Sequence, residues 1–125
     1  FGVLALVALQ AVSVKNSIDA KYRSDASYLA NQIVAQMWVD RANLDSYAHY
    51  AAGSVCAYSG TASALASVTG WVSQVAALLP GTSATTTQIQ MNTVGGAKRV
   101  KVTVCWKVPQ ETSSHNFSVT AQINP

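Results

Sequence analysis

Apolar residues return at intervals of three and four along the first third of the chain: Ile18, Tyr22, Ala26, Leu29, Ile33 and Met37. That spacing places them on one stripe of an α-helix. Lys15, Asp19, Lys21, Arg23 and Asp25 fall on its other faces. Asp19–Arg23 and Lys21–Asp25 have the i,i+4 spacing of ion pairs worth a few tenths of a kcal/mol each, so the stripe decides where the helix sits. Before Lys15 the pattern changes from amphipathic to wholly apolar, but nothing interrupts the helix. No proline precedes Pro80, and no glycine falls between Gly2 and Gly53. One helix is therefore predicted over 1–40, with an uncharged part at 1–14 and an amphipathic part at 15–40. Asp40-Arg-Ala-Asn-Leu-Asp45 is its expected stop, with Asn43 and Asp45 as turn or cap residues.

Residues 46–61 read as a loop of small residues around Cys56. A second, short helix is predicted over Ala62–Leu79, with Leu65, Val68, Val72, Val75 and Leu79 as its apolar side and Ser63 or Thr61 as its cap. Pro80-Gly81 ends it.

Beyond Gly81 the period becomes two. Thr87, Ile89 and Met91 alternate with Gln88, Gln90 and Asn92. Val100, Val102, Val104, Trp106 and Val108 alternate with Arg99, Lys101, Thr103, Cys105 and Lys107. Phe117, Val119, Ala121 and Ile123 alternate with Ser118, Thr120, Gln122 and Asn124. These are three antiparallel strands with one apolar and one polar face, a meander whose valine face is expected to receive the helix stripe. Gly95-Gly96 supplies a two-residue hairpin turn needing positive φ. Setting Val94 opposite Ala97 then pairs Met91 with Val100 and Ile89 with Val102, whereas a slip by one would set valines against glutamines. The link Pro109–Ser114 is expected to place Trp106 opposite Phe117. The fold class is α+β: a long N-terminal helix on a three- or four-stranded antiparallel sheet. Residues 1–45 form the helix, 46–84 the connecting αβ loop with its short helix, and 85–125 the meander, with 15–125 as a single head. Val102, Val104 and Trp106 are expected to form its core with Ile18, Tyr22, Leu29, Ile33 and Met37.

The 125 residues permit one domain with a real core. Only 10% of them are charged, well below the usual quarter, and part of the apolar excess sits in the first fourteen positions. As a helix those fourteen would reach about 21 Å, short of the roughly 30 Å hydrocarbon core of a bilayer. Their eight Phe, Leu and Val residues favour insertion by roughly 2–5 kcal/mol. A partial membrane span, with more apolar residues expected upstream of Phe1, accounts for this better than a buried helix of a soluble protein. An apolar surface around a whole helix has little to pack against in so small a domain.

Cys56 and Cys105 are the only cysteines. They have no CxxC spacing and no histidine near in sequence, which argues against zinc and thioredoxin-type chemistry. Two free buried thiols remain open as a reading, but an even pair in an anchored chain favours one disulfide and an oxidising compartment. Because Cys105 belongs to the polar strand face, such a bond requires the preceding loop to reach around an edge of the sheet or over its back.

Catalytic signatures are missing. His49 and His115 have no carboxylate partner suggested by spacing and read as surface or loop residues. Three of the five carboxylates lie on or beside the first helix. There is no HExxH, phosphate-binding glycine loop, GxSxG or paired acid, so neither an enzyme nor a cofactor is expected. A basic group of Lys98, Arg99, Lys101 and Lys107, on a chain of net charge +3, offers a possible contact face. Three or four such residues would hold nucleic acid only modestly and with strong salt dependence, so a solvated face or an acidic neighbouring subunit is the better reading.

The residues Gly2-Val-Leu-Ala-Leu6, Ala8-Leu-Gln10, Arg23, Ala26, Leu29-Ala30 and Met37 resemble the pattern of the PilV group of type IV pilus minor pilins, a "GLLGL–ALQ" run leading into "R–A–LA–M" helical positions. The resemblance is specific over about 40 residues and architectural over the rest. It implies a type IV pilin-like fold and a non-catalytic subunit with its head in the periplasm and its helix in the bacterial inner membrane. On assembly that subunit enters an extracellular pilus. Implied partners are the major pilin, other minor pilins and a PilY-type tip adhesin. Phe1, Gly2, Leu4, Ala5, Leu6, Ala8 and Leu9 would be the assembly helix. Gly2, Ala5, Ala8 and Ala11 would allow close approach between helices, where packing and not the hydrophobic effect drives association.

The pattern departs from the family at one place. Such pilins begin with a methylated Phe and carry a Glu four residues later, whereas Ala5 stands at that spacing here. Phe1 is therefore expected partway down the family's helix, and no residue of this chain takes either role. A minor pseudopilin of a type II secretion system would share the architecture, as would a DNA-uptake subunit using the basic sheet face. An anchored periplasmic binding domain would need a pocket that the sequence does not indicate.

Overall fold

The computed structural model describes the backbone of residues 2–124 and, within it, the side chains of residues 18–83 and 85–124. Helix α1 (Gly2–Val39) is 38 residues long, about 57 Å at 1.5 Å per residue, and ends one residue short of the predicted stop. Ala26, Leu29, Ile33 and Met37 of the stripe are buried, and Tyr22 packs half-buried against the same core. Ile18 corrects the expectation. It is 39% exposed because it lies a turn before the helix meets the core at Tyr22. Ala30 and Val34, which the stripe omitted, are also buried, so α1 presents a wider apolar face than one row.

A 3₁₀ segment, Arg41–Tyr47, follows the helix and is bent at Asn43. Asp40 organises the corner: its carboxylate accepts from Asn43 Nδ2 (2.7 Å) and from the Tyr47 hydroxyl (3.0 Å). The stretch read as plain loop contains a small hairpin, β1 (Ala52–Ser54) paired with β2 (Ala57–Ser59). Helix α2 (Ala66–Leu78) begins four residues later than predicted, with Leu65 and not Ser63 or Thr61 at its N-cap. Ser63 serves the entry instead, accepting from Leu65 N–H (3.3 Å) and donating to Ser46 O (2.6 Å). Val68, Val75 and Leu79 are buried as expected, and so is Trp71, absent from the predicted side. The indole N–H of Trp71 donates to Leu29 O at 2.8 Å and pins α2 to α1.

Leu79 is extended (ψ 135°), as the residue before a proline tends to be, and α2 stops there. Gly81 follows at φ +65°. A Cβ at Gly81 would fall 2.6 Å from Lys107 O, in a stretch where Lys107 N–H donates to Pro80 O at 2.9 Å. Gly81→Ala is therefore expected to cost at least about 2 kcal/mol in urea unfolding, combining left-handed strain with a backbone collision. Gly95→Asn, at a turn where an added Cβ meets nothing within 4 Å, is expected to stay within about 1 kcal/mol of the parent. Equal effects at the two sites would refute the close approach at Gly81.

Strands β3 (Thr87–Val94), β4 (Ala97–Trp106) and β5 (His115–Ile123) form an antiparallel sheet in that order. The predicted register of the first pair holds: Val94↔Ala97, Met91↔Val100 and Ile89↔Val102. The second pair is shifted by two residues. Trp106 faces His115, and Phe117 faces Val104. Closing the link earlier adds residues to the ladder and keeps every side chain on its expected face, since a shift of two preserves the alternation.

Helices α1 and α2 share a core with Ile89, Val100, Val102, Val104, Trp106 and Ile123 on one face of the sheet. The other face is not simply solvated. Gln88, Thr103 and Cys105 are buried there because the β1–β2 hairpin lies over them. The β3 border is occupied at Ile89, whose N–H and C=O both pair with His49 at 3.0 Å. The β5 border has no paired strand among the described residues and carries no Lys, Arg, Asp, Glu or Pro over its nine positions. No helix among the described residues is long and apolar enough to cross a membrane.

Candidate functional site

Three regions are candidates for function, and each is positioned by a different part of the fold. The first is α1. Its buried row, Leu29, Ile33 and Met37, packs against Val102, Val104 and Trp106, all 2% exposed or less. The opposite side leaves Tyr28 62% and Val39 84% exposed. The side chains of the expected assembly residues Phe1, Gly2, Leu4, Ala5, Leu6, Ala8 and Leu9 lie outside the described ones; the backbone from Gly2 onward is helical.

The second region is the disulfide. Cys56 and Cys105 are bonded, with Cα atoms 5.7 Å apart. The route is one of those the strand alternation required: the chain rounds the β3 border at His49–Ile89 and then crosses the back of the sheet. Gln88 Nε2 donates to Tyr50 O and Gln90 Nε2 to Ala51 O, each at 3.0 Å, so two side chains of the polar face carry the crossing segment. Tyr58 is buried against Cys105, its hydroxyl 3.9 Å from Sγ. Cys56 itself sits in the left-handed region at φ 62°, a conformation unusual for a residue with a Cβ. His49, read as a surface or loop residue, is only 4% exposed. Its Nδ1 accepts from Ser63 N–H at 3.1 Å, and its ring meets Tyr50 edge-on.

The basic residues do not gather into one face. Lys98 lies on the core-side alternation and is drawn to Asp45 (2.9 Å) and Thr93 (3.0 Å). Arg99 and Lys101 project together from the back of the sheet, Lys101 into a groove it shares with Gln88, Gln90, Asn116 and Ser118. Lys107 is exposed beyond the end of β4, about 20 Å along the strand from Lys101 at 3.3 Å per residue. Thr103 and Cys105, covered by the hairpin, separate them. A patch of two cations and two outliers is a weak footprint for a polyanion.

The third region was not expected. At the Trp106 end of the sheet, His115 Nε2 stands 2.6 Å from Glu111 Oε2, four residues earlier in the chain, and Asp19 of α1 converges on the same pair. His115 stacks on Trp106 (centroids 5.8 Å apart, planes at 24°), and the Arg23 guanidinium lies 5.5 Å from the centroid of the same indole. This corrects the reading of His115 as lacking a carboxylate partner. The i,i+4 interval from Glu111 was a usable signal, although the segment is a turn and not a helix.

No family model, curated protein or solved structure matches the chain.

Proposed function

We propose that the chain is a PilV-group minor pilin of a type IV pilus: a non-catalytic subunit that primes pilus assembly and sits in a tip complex with other minor pilins and a PilY-type adhesin, in the service of adhesion and twitching motility. The observation that carries this reading is the single helix Gly2–Val39, of which one part, from Tyr22 to Met37, is built into a disulfide-fastened head. A helix continuous through both parts couples whatever its N-terminal half packs against to the orientation of the head. In this reading the N-terminal half leaves inner-membrane lipid for neighbouring helices of the fibre while the heads pack outside. The scatter of the cations makes a DNA-uptake role the weaker alternative.

The test is a co-purification of the 125-residue chain with candidate minor pilins and the C-terminal region of the adhesin, in oxidising buffer and again after reduction. A stable complex that weakens on reduction is the expected result. Failure to bind any of them, together with binding to components of a type II secretion system, would sink the pilus assignment in favour of a pseudopilin.

A further inference from the structure

Among the described residues, one group of three His, Cys, Asp or Glu side chains is close enough to share an ion: Asp19, Glu111 and His115. They come from separate places in the chain, namely α1, the link after β4, and the first residue of β5. One donor atom of each lies within 4.8 Å of the other two, and all three side chains are partly buried. Donors held about 2.1 Å from a tetrahedral metal lie roughly 3.4 Å from one another, so an ion needs Glu111 and His115, now at 2.6 Å, to part by somewhat under an ångström and Asp19 to close by at most little more than one.

The group is built into the fold more firmly than a chance surface cluster. His115 is the first residue of the β5 ladder, paired with Trp106, and its ring rests on that buried indole. The imidazole plane is thereby set with Nε2 toward Glu111. Gln110, at φ 79°, turns the link immediately before Glu111. A groove of about 380 Å³, lined by these three residues with Gln110, Thr112 and Ser113, gives access from solvent.

We propose that Asp19, Glu111 and His115 bind a divalent ion of the zinc class and that the bound ion ties α1 to the β4–β5 link. One imidazole nitrogen with two carboxylates suits zinc, or nickel or copper, better than magnesium or calcium, which favour all-oxygen shells. Both cysteines are spent in the disulfide, so no thiolate competes for the metal. Three protein ligands leave a fourth position for water or for a donor from another molecule. Binding replaces the Glu111–His115 hydrogen bond with the ion, the imidazole ligating through Nε2 as the tautomer that keeps its hydrogen on Nδ1. The inference stands on this geometry alone and is independent of the pilus assignment.

The experiment is a zinc titration of the 125-residue chain, stripped with chelator and dialysed, followed by calorimetry and by melting temperature. One equivalent is expected to bind and to raise the melting temperature by several degrees. Asp19→Asn and His115→Gln should each weaken binding at least tenfold, and magnesium should not compete at equal concentration. Copper should quench tryptophan emission in the parent, through Trp106 beside His115, and fail to do so in His115→Gln. If His115→Gln misfolds, Asp19→Asn decides the matter, because it removes an anionic ligand from α1 at a residue outside the apolar core. Absence of a one-equivalent event, or unchanged affinity in Asp19→Asn, overturns the site.

Discussion

Replacing Cys56 and Cys105 together by serine is expected to lower the unfolding free energy by about 4 kcal/mol and the melting temperature by roughly 12–20 °C. The estimate rests on the loop that the bond closes, with the two cysteines 49 residues apart. Few apolar contacts stand in for the bond once it is gone. Tyr58 is the one buried side chain of the β1–β2 hairpin; the other five residues of its two strands are exposed. The rest of its attachment consists of the Gln88 and Gln90 side-chain bonds and the His49–Ile89 bridge. The left-handed conformation of Cys56 would also lose its covalent restraint. Hydrogen exchange should therefore separate two populations in the variant. Amides of 52–59 lose protection, while those of Leu29 to Met37, on the opposite side of the sheet, keep it until global unfolding. A melting temperature within about 3 °C of the parent would mean that the hairpin is held by something other than the bond.

Trp71→Ala carries the second large effect, a loss of about 3–5 kcal/mol in urea unfolding. Trp71 is 4% exposed and fills the seam between α1 and α2. Its truncation leaves a cavity in the largest contact that α2 makes and deletes the 2.8 Å bond to Leu29 O. Trp71→Phe retains most of the volume and loses the bond, so a cost nearer 1–2 kcal/mol is expected. Trp38→Ala is the control, because Trp38 is 43% exposed and should change stability by less than about 1 kcal/mol. Similar losses for Trp71→Ala and Trp38→Ala would refute the assignment of the seam.

The contrast between these sites explains what the chain reveals before it folds. The strands were legible because valines alternate with polar residues for most of β4, and Gly95-Gly96 fixes one register by geometry. The pairing of β5 was legible only to within two residues. Alternation constrains which face a side chain takes, whereas the link after β4 has no turn signature to set its length. The β1–β2 hairpin was invisible: Ala52-Gly-Ser54 and Ala57-Tyr-Ser59 are too short and too small to show a period, and distant partners hold them in place. Trp71 shows a different failure. It stands three residues after Val68 and four before Val75, an interval that fits the apolar side as well as Val72 does. The burial of His49 follows from the chain rounding the β3 border, a path that no local pattern encodes. The meeting of Asp19 with Glu111 and His115 likewise needs α1 and the far end of the meander to be brought together first.

The two borders of the sheet are unlike, and this limits what can grow from it. A sheet with two free borders can recruit a copy at each side and extend without end, as fibrils do. Here His49 interrupts one border at Ile89, and the long run His115–Ile123, without Lys, Arg, Asp or Glu, is the other. Among the described residues, strand-by-strand recruitment thus has a single docking rail. Two copies meeting rail to rail would use up both, leaving a closed pair with no uninterrupted rail on either side.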